Sequence, residues 1–114
     1  MIVEEKIPFL DGKKYIVFTP NDIIKYNGIR LIPKKTLIFV YEETNDGFLS
    51  GDDELDIFGF GETEKDLKKD IISQIIFTWE NYVEEDDSKL TSKAQELKRR
   101  YKETFEKLQK SVDK

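Results

Sequence analysis

The chain has no cysteine and no histidine. Without cysteine there is no disulfide and no thiolate nucleophile. Without histidine the commonest zinc ligand and the commonest general base are missing too. Tryptophan occurs once and proline three times, and no apolar run approaches the ~20 residues of a membrane-spanning helix. The N-terminus also lacks the apolar core of a secretory signal, so the cytoplasm is the expected compartment.

What is present is charge. Charged residues make up 38% of the 114 positions and hydrophobic ones another 38%, and 24 acids against 19 bases leave a formal −5. That balance argues against coating of nucleic acid by the whole surface, though not against a local basic face. The length fits a single domain with a real core.

The stretch Leu55–Val83 organises the rest. Leu55–Phe60 reads as a strand, Gly59-Phe60-Gly61 as a turn, and residues 63–84 as a long amphipathic helix. Leu67, Ile71, Ile75 and Trp79 recur every fourth residue, with Ile72, Ile76 and Val83 in the next row. Thr63 is a natural N-cap, and Asp66 three positions on approximates a capping box. Trp79 is expected to anchor the core. A strand, glycines and a helix start are also where phosphate loops sit. Here Glu64 replaces the third glycine of a dinucleotide fingerprint, and Glu62 and Glu64 would repel a phosphate. A packing role for the two glycines, with φ freedom, is the better reading.

The N-terminal 60 residues read mainly as strands. Residues 2–10, the turn signal Asp11-Gly12 and the run Lys14–Phe18 suggest a hairpin with Pro8 on its edge strand. Residues 19–28 admit two readings. Thr19-Pro20 could open a helix that Gly28 closes, or Asn27-Gly28 could turn a hairpin placing Ile24 and Tyr26 on a face with Ile29 and Leu31. The hairpin is preferred. Thr36–Glu42 is a further strand, Asn45-Asp46-Gly47 a turn, and Ser50–Glu54 a polar loop. Strands first and helices after predict an α+β fold: an antiparallel sheet of four to six strands against two C-terminal helices.

After the acidic run Glu84–Ser88, residues 91–111 are expected to form a basic amphipathic helix with Ala94, Leu97, Tyr101, Phe105 and Leu108 on one face. Residues 90–114 hold eight bases and four acids. This basic helix could lie against the acidic body, or it could touch nucleic acid through Lys98, Arg99, Arg100 and Lys102.

Chemistry is hard to find. Asp46, Asp52, Asp53, Glu54, Asp56 and Glu62 cluster in sequence, but an acid/base pair needs burial that nothing local suggests. A calcium loop with Gly47 at its sixth position would start on Glu42 and put Thr44 third, a poor ligand set. No enzyme activity, cofactor or metal is expected. A carboxylate-bound metal would be the alternative. The aromatics Tyr15, Phe18, Phe39, Tyr41, Phe48, Phe58 and Phe60 are too many for one covered sheet face. Either the second helix covers another patch, or an apolar patch stays open for a second copy or a partner.

Phe39–Glu42, Asp46-Gly47-Phe48, Leu55–Phe60 and Gly61-Glu62-Thr63-Glu64-Lys65-Asp66-Leu67 with Ile71 together resemble the N-terminal domain of HicB-type antitoxins and their stand-alone relatives. The resemblance spans about Phe39–Val83. It implies a ribonuclease-H-like α+β fold that forms a homodimer and covers the active surface of a small RNA-cleaving toxin, with no catalytic residue of its own. Ile57-Phe58-Gly59 stands where the family has a proline-glycine-cysteine turn. Residues 90–114 leave room for one helix, not for a DNA-binding motif. The expected function is therefore non-enzymatic protein binding, with Asp52, Asp53 and Glu54 set against a small basic partner.

Overall fold

The structure, a computed structural model, describes residues 12–108. It is α+β, as expected, but its strands divide into two antiparallel sheets. One holds β1 (Lys14–Phe18), β4 (Leu37–Glu43), β5 (Phe48–Asp52) and β6 (Ile57–Gly61) in the order β1-β4-β5-β6. The other holds β2 (Ile24–Tyr26), β3 (Ile29–Pro33) and β7 (Phe105–Lys107) in the order β2-β3-β7. The expected strand at residues 2–10 lies outside the described residues.

Turn chemistry sets the hairpins. Asn27 and Gly28 have φ of 53° and 82°, the mirror-image turn that matches strand twist. Ile24 faces Leu31 and Tyr26 faces Ile29, so the hairpin reading of residues 19–28 holds. Thr19 still behaves like a helix cap, its hydroxyl accepting the Asn21 N–H (3.1 Å), while Asp22 accepts the Thr19 N–H (2.6 Å). The turn ends there because β-prone Ile24 leads the chain into a sheet. The expected polar loop at Ser50–Glu54 is half strand. Ser50 turns its hydroxyl inward onto the Val40 carbonyl (2.9 Å), which lets a polar residue occupy a buried strand position.

Helix α1 (Glu64–Thr78) starts as read: the Thr63 hydroxyl accepts the Asp66 N–H (3.1 Å). It continues as a wide turn over Trp79–Val83. Trp79 is buried, as expected, and donates its indole N–H to Glu84. Leu67, Ile71, Ile75 and Ile76 are fully buried between the two sheets' inner residues, among them Ile16, Phe18, Phe39, Leu31 and Ile57.

Helix α2 (Ser92–Thr104) is shorter than the expected 91–111. Its last residues depart from helix at Phe105 (φ −125°, ψ 153°), and residues 105–107 pair with β3 instead. Without β7, β3 would be an unpaired edge, and Phe105 would lose its place against Tyr101 (ring centroids 5.5 Å apart). Pairing and burial outweigh continuation of the helix. The Tyr101 hydroxyl, buried, donates to the Leu55 carbonyl (2.8 Å) and ties α2 to the turn before β6. Among the described residues no helix is long and apolar enough to cross a membrane.

Candidate interaction surface

Strand β6 reads Ile57-Phe58-Gly59-Phe60-Gly61, and its alternation is the reverse of the usual one. Ile57, Gly59 and Gly61 are buried toward α1, while Phe58 is 70% exposed and Phe60 41% exposed. The glycines are there for contact. A Cβ on Gly61 would sit 2.1 Å from the Leu67 nitrogen, and one on Gly59 would sit 3.0 Å from Ile71 Cγ1. Neither has positive φ, so close strand–helix packing, and not φ freedom, is what they supply.

The outward face of this sheet is apolar on all four strands except at Glu42, which opposes Leu49. Leu49 opposes Phe60, Gly51 opposes Phe58, Tyr15 opposes Val40 and Val17 opposes Ile38. Tyr15 is 43% exposed, and Val17, Ile38, Val40 and Leu49 are partly so. Gly51 leaves a dip in this surface, with the Phe58 ring leaning over it. Helix α2 does not cover the face. It packs on the Trp79–Val83 turn and on β7.

The edge of the sheet at β6 is closed differently. The Gln74 side chain of α1 accepts the Phe58 N–H (3.0 Å) and donates to the Phe58 carbonyl (2.7 Å). Asp70 accepts the Phe60 N–H (2.9 Å) and also holds Gln74. A side-chain amide thus makes the pair of bonds that a neighbouring strand would make. Such protection blocks strand-to-strand addition.

Charge is arranged around the open face. From Thr36 to Glu64 there are nine acids and no lysine or arginine, so the rest of the chain is net basic. Asp46 sits in the turn after β4 and Glu62 follows β6, at one end of the strands. Asp52, Asp53, Glu54 and Asp56 surround the β5–β6 turn at the other. Among the described residues none of these six forms an ion pair. Asp52 accepts the Leu55 N–H (3.0 Å), Asp53 and Glu54 are exposed, and Arg100 donates to the Glu54 carbonyl (3.2 Å). An open groove runs between this turn and α2, with Asp53 and Asp56 on one wall and Lys93, Leu97 and Arg100 on the other.

The basic run on α2 is largely occupied by its own chain. Lys98 bonds the Glu85 carbonyl and pairs with Asp87 (2.8 Å). Arg99 is bound by Glu96 and Glu103, and the same carboxylates hold its guanidinium further into the charged range. Arg100 approaches Glu96 (3.4 Å). Lys102 is exposed. The expected contact between basic helix and acidic body is therefore partial: Lys98 and Lys107 reach Asp87 and Glu84, while Arg99 pairs within α2. Among the described residues no group of three or more acids is placed to hold a metal.

One strongly shifted group lies on the covered side. The Tyr41 hydroxyl donates to Glu64, and this bond, with burial and the charges of Glu64 and Glu43, pushes its pKa up to about 12. It ties β4 to the first turn of α1.

The outward Phe58 and Phe60 were singled out by the sequence as part of a surplus of aromatics, but which way they point was not. The base-free run between Lys35 and Lys65 was the missed signal. Comparison with family models, with curated proteins and with solved structures found no match to this chain, so its own geometry carries the functional reading.

Proposed function

We propose that this chain is a non-enzymatic protein-binding domain that works through the outer face of its four-stranded sheet. The observation that carries this reading is the inversion in β6, glycines inward and phenylalanines outward. Exposed aromatics cost solubility and are concentrated where proteins meet. The finer reading, from the HicB-type resemblance, is antitoxin-like: the domain masks the basic active surface of a small RNA-cleaving toxin, with Asp52, Asp53 and Glu54 contributing attraction. A homodimer is part of that reading.

A photo-crosslinking residue in place of Phe60, carried by the tagged full chain in its own host, tests the surface. A stoichiometric protein adduct that a crosslinker on exposed Lys69 does not give supports it. Absence of any protein adduct at position 60 overturns it. Light scattering on the purified protein reports whether the chain pairs with itself. A co-purifying small basic ribonuclease, inhibited by the chain, would support the antitoxin-like form.

A further inference from the structure

We infer that the occupant of the outer sheet face is a basic amphipathic helix of a partner protein, lying across β5 and β6 with its apolar side on Leu49, Phe58 and Phe60. The inference rests on the binding-domain reading and adds the partner's shape and charge.

Three observations select this occupant. The first is the closed edge. Gln74 holds the Phe58 N–H and carbonyl and Asp70 the Phe60 N–H, so an added strand would have to displace them. Approach to the face needs no such displacement.

The second is size. Aromatic side chains present roughly 200 Å² each, so Phe58, Phe60 and Tyr15 at 70%, 41% and 43% expose about 300 Å² together. The half-covered aliphatics add less. That is well short of the ~800 Å² per partner of a standard protein interface, yet it suits one helix. Crossing β5 and β6, such a helix continues over β4 and β1: four strands at ~4.8 Å are about 15–20 Å wide, the length of three to four helical turns. Gly51 adds no side chain to the middle of this surface, and the Phe58 ring lies beside it.

The third is charge. Both ends of the β5–β6 pair are acidic, Asp46 and Glu62 at one end and Asp52, Asp53, Glu54 and Asp56 at the other, with no base between Lys35 and Lys65. With strands aligned, a second copy would set these carboxylates against their own kind, since the neighbouring bases Lys14 and Arg100 are paired with Glu43 and Glu96 of their own chain. Lysines or arginines flanking the apolar stripe of a partner helix would meet acids at both ends.

The test uses the full chain and two fluorescently labelled synthetic helices of about 18 residues. One is built from leucine and lysine, the other from leucine and glutamate on the same pattern, and both are followed by anisotropy. The leucine–lysine helix is expected to bind and the leucine–glutamate helix not. Phe58→Ser with Phe60→Ser should weaken binding at least ~tenfold while the circular dichroism spectrum stays native. Asp46→Asn with Asp53→Asn and Glu62→Gln should weaken it severalfold at roughly 50 mM salt and little at roughly 500 mM. Equal binding of both helices, or binding unchanged by the double serine variant, overturns the inference. So does sedimentation showing a dimer of the free protein that Phe58→Ser abolishes, which would make the occupant a second copy. If neither helix binds while position 60 still crosslinks to a protein, this inference fails and the binding-domain reading stands.

Discussion

The two faces of the four-stranded sheet are built from the same kinds of residue and treated in opposite ways. Inward, Phe18 and Phe39 meet edge to face (5.8 Å) under α1, and β6 gives up its side chains at Gly59 and Gly61 to let the helix come close. Outward, β6 carries its two largest side chains into solvent. A sheet that had only to close its own core would put phenylalanine in and small or polar residues out. On the binding-domain reading proposed above, the outer face is shaped by a partner as well as by this domain's stability.

Substitutions on the two faces should therefore behave differently. The largest effect is expected for Gly61→Ala, whose new methyl would meet the backbone at Leu67 and Asp66 within 2.6 Å. Urea unfolding should show a loss above ~3 kcal/mol or no folded protein. Next comes a matched pair. Phe39→Ala, buried, should cost ~3–5 kcal/mol, and Phe58→Ala should stay within ~0.5 kcal/mol. A large cost at Phe58 would break the comparison, because it would mean that the outer face is already covered in solution.

Gln74→Ala probes the boundary between the faces. It strips the Phe58 N–H and carbonyl of their partner at a solvent-accessible edge, so about 1 kcal/mol is expected. Concentration-dependent association by light scattering should appear with it. A further effect is confined to alkali. Tyr41, with its pKa raised from 10.0 to about 12, holds its proton more tightly folded than unfolded. Its contribution is complete below pH 10 and is lost as pH rises through about 12. Tyr41→Phe should flatten that part of the stability profile. Burial raises Tyr101 too, so the difference between wild type and variant is the quantity to read.

The sequence made α1 legible because Leu67, Ile71 and Ile75 repeat at helical spacing behind a threonine cap, and local pattern was enough. Asn27-Gly28 was equally legible, since its backbone demands are local. Phe105-Glu106-Lys107 was not. Its residues continue the period of α2, and pairing with distant β3 decides its conformation. The orientation of β6 was hidden for a related reason. Ile57-Phe58-Gly59-Phe60-Gly61 alternates equally well with the phenylalanines in or out, and the close approach of α1 breaks the tie. The acids Asp52, Asp53 and Glu54 could be named from sequence, but their place at one end of an open apolar face required the sheet.

The pairing of β7 with β3 also bears on how the protein reaches this state. Leu31 lies opposite Lys107 and Pro33 opposite Phe105, so the second sheet is completed by residues separated by most of the described chain. Closing so long a loop carries a large entropic cost before any contact repays it. The β2–β3 hairpin and the β4–β5–β6–α1 unit can form from nearby residues, whereas β7 must wait for both. Refolding should thus pass through a stage in which β3 is paired only with β2 and Phe105 is unburied.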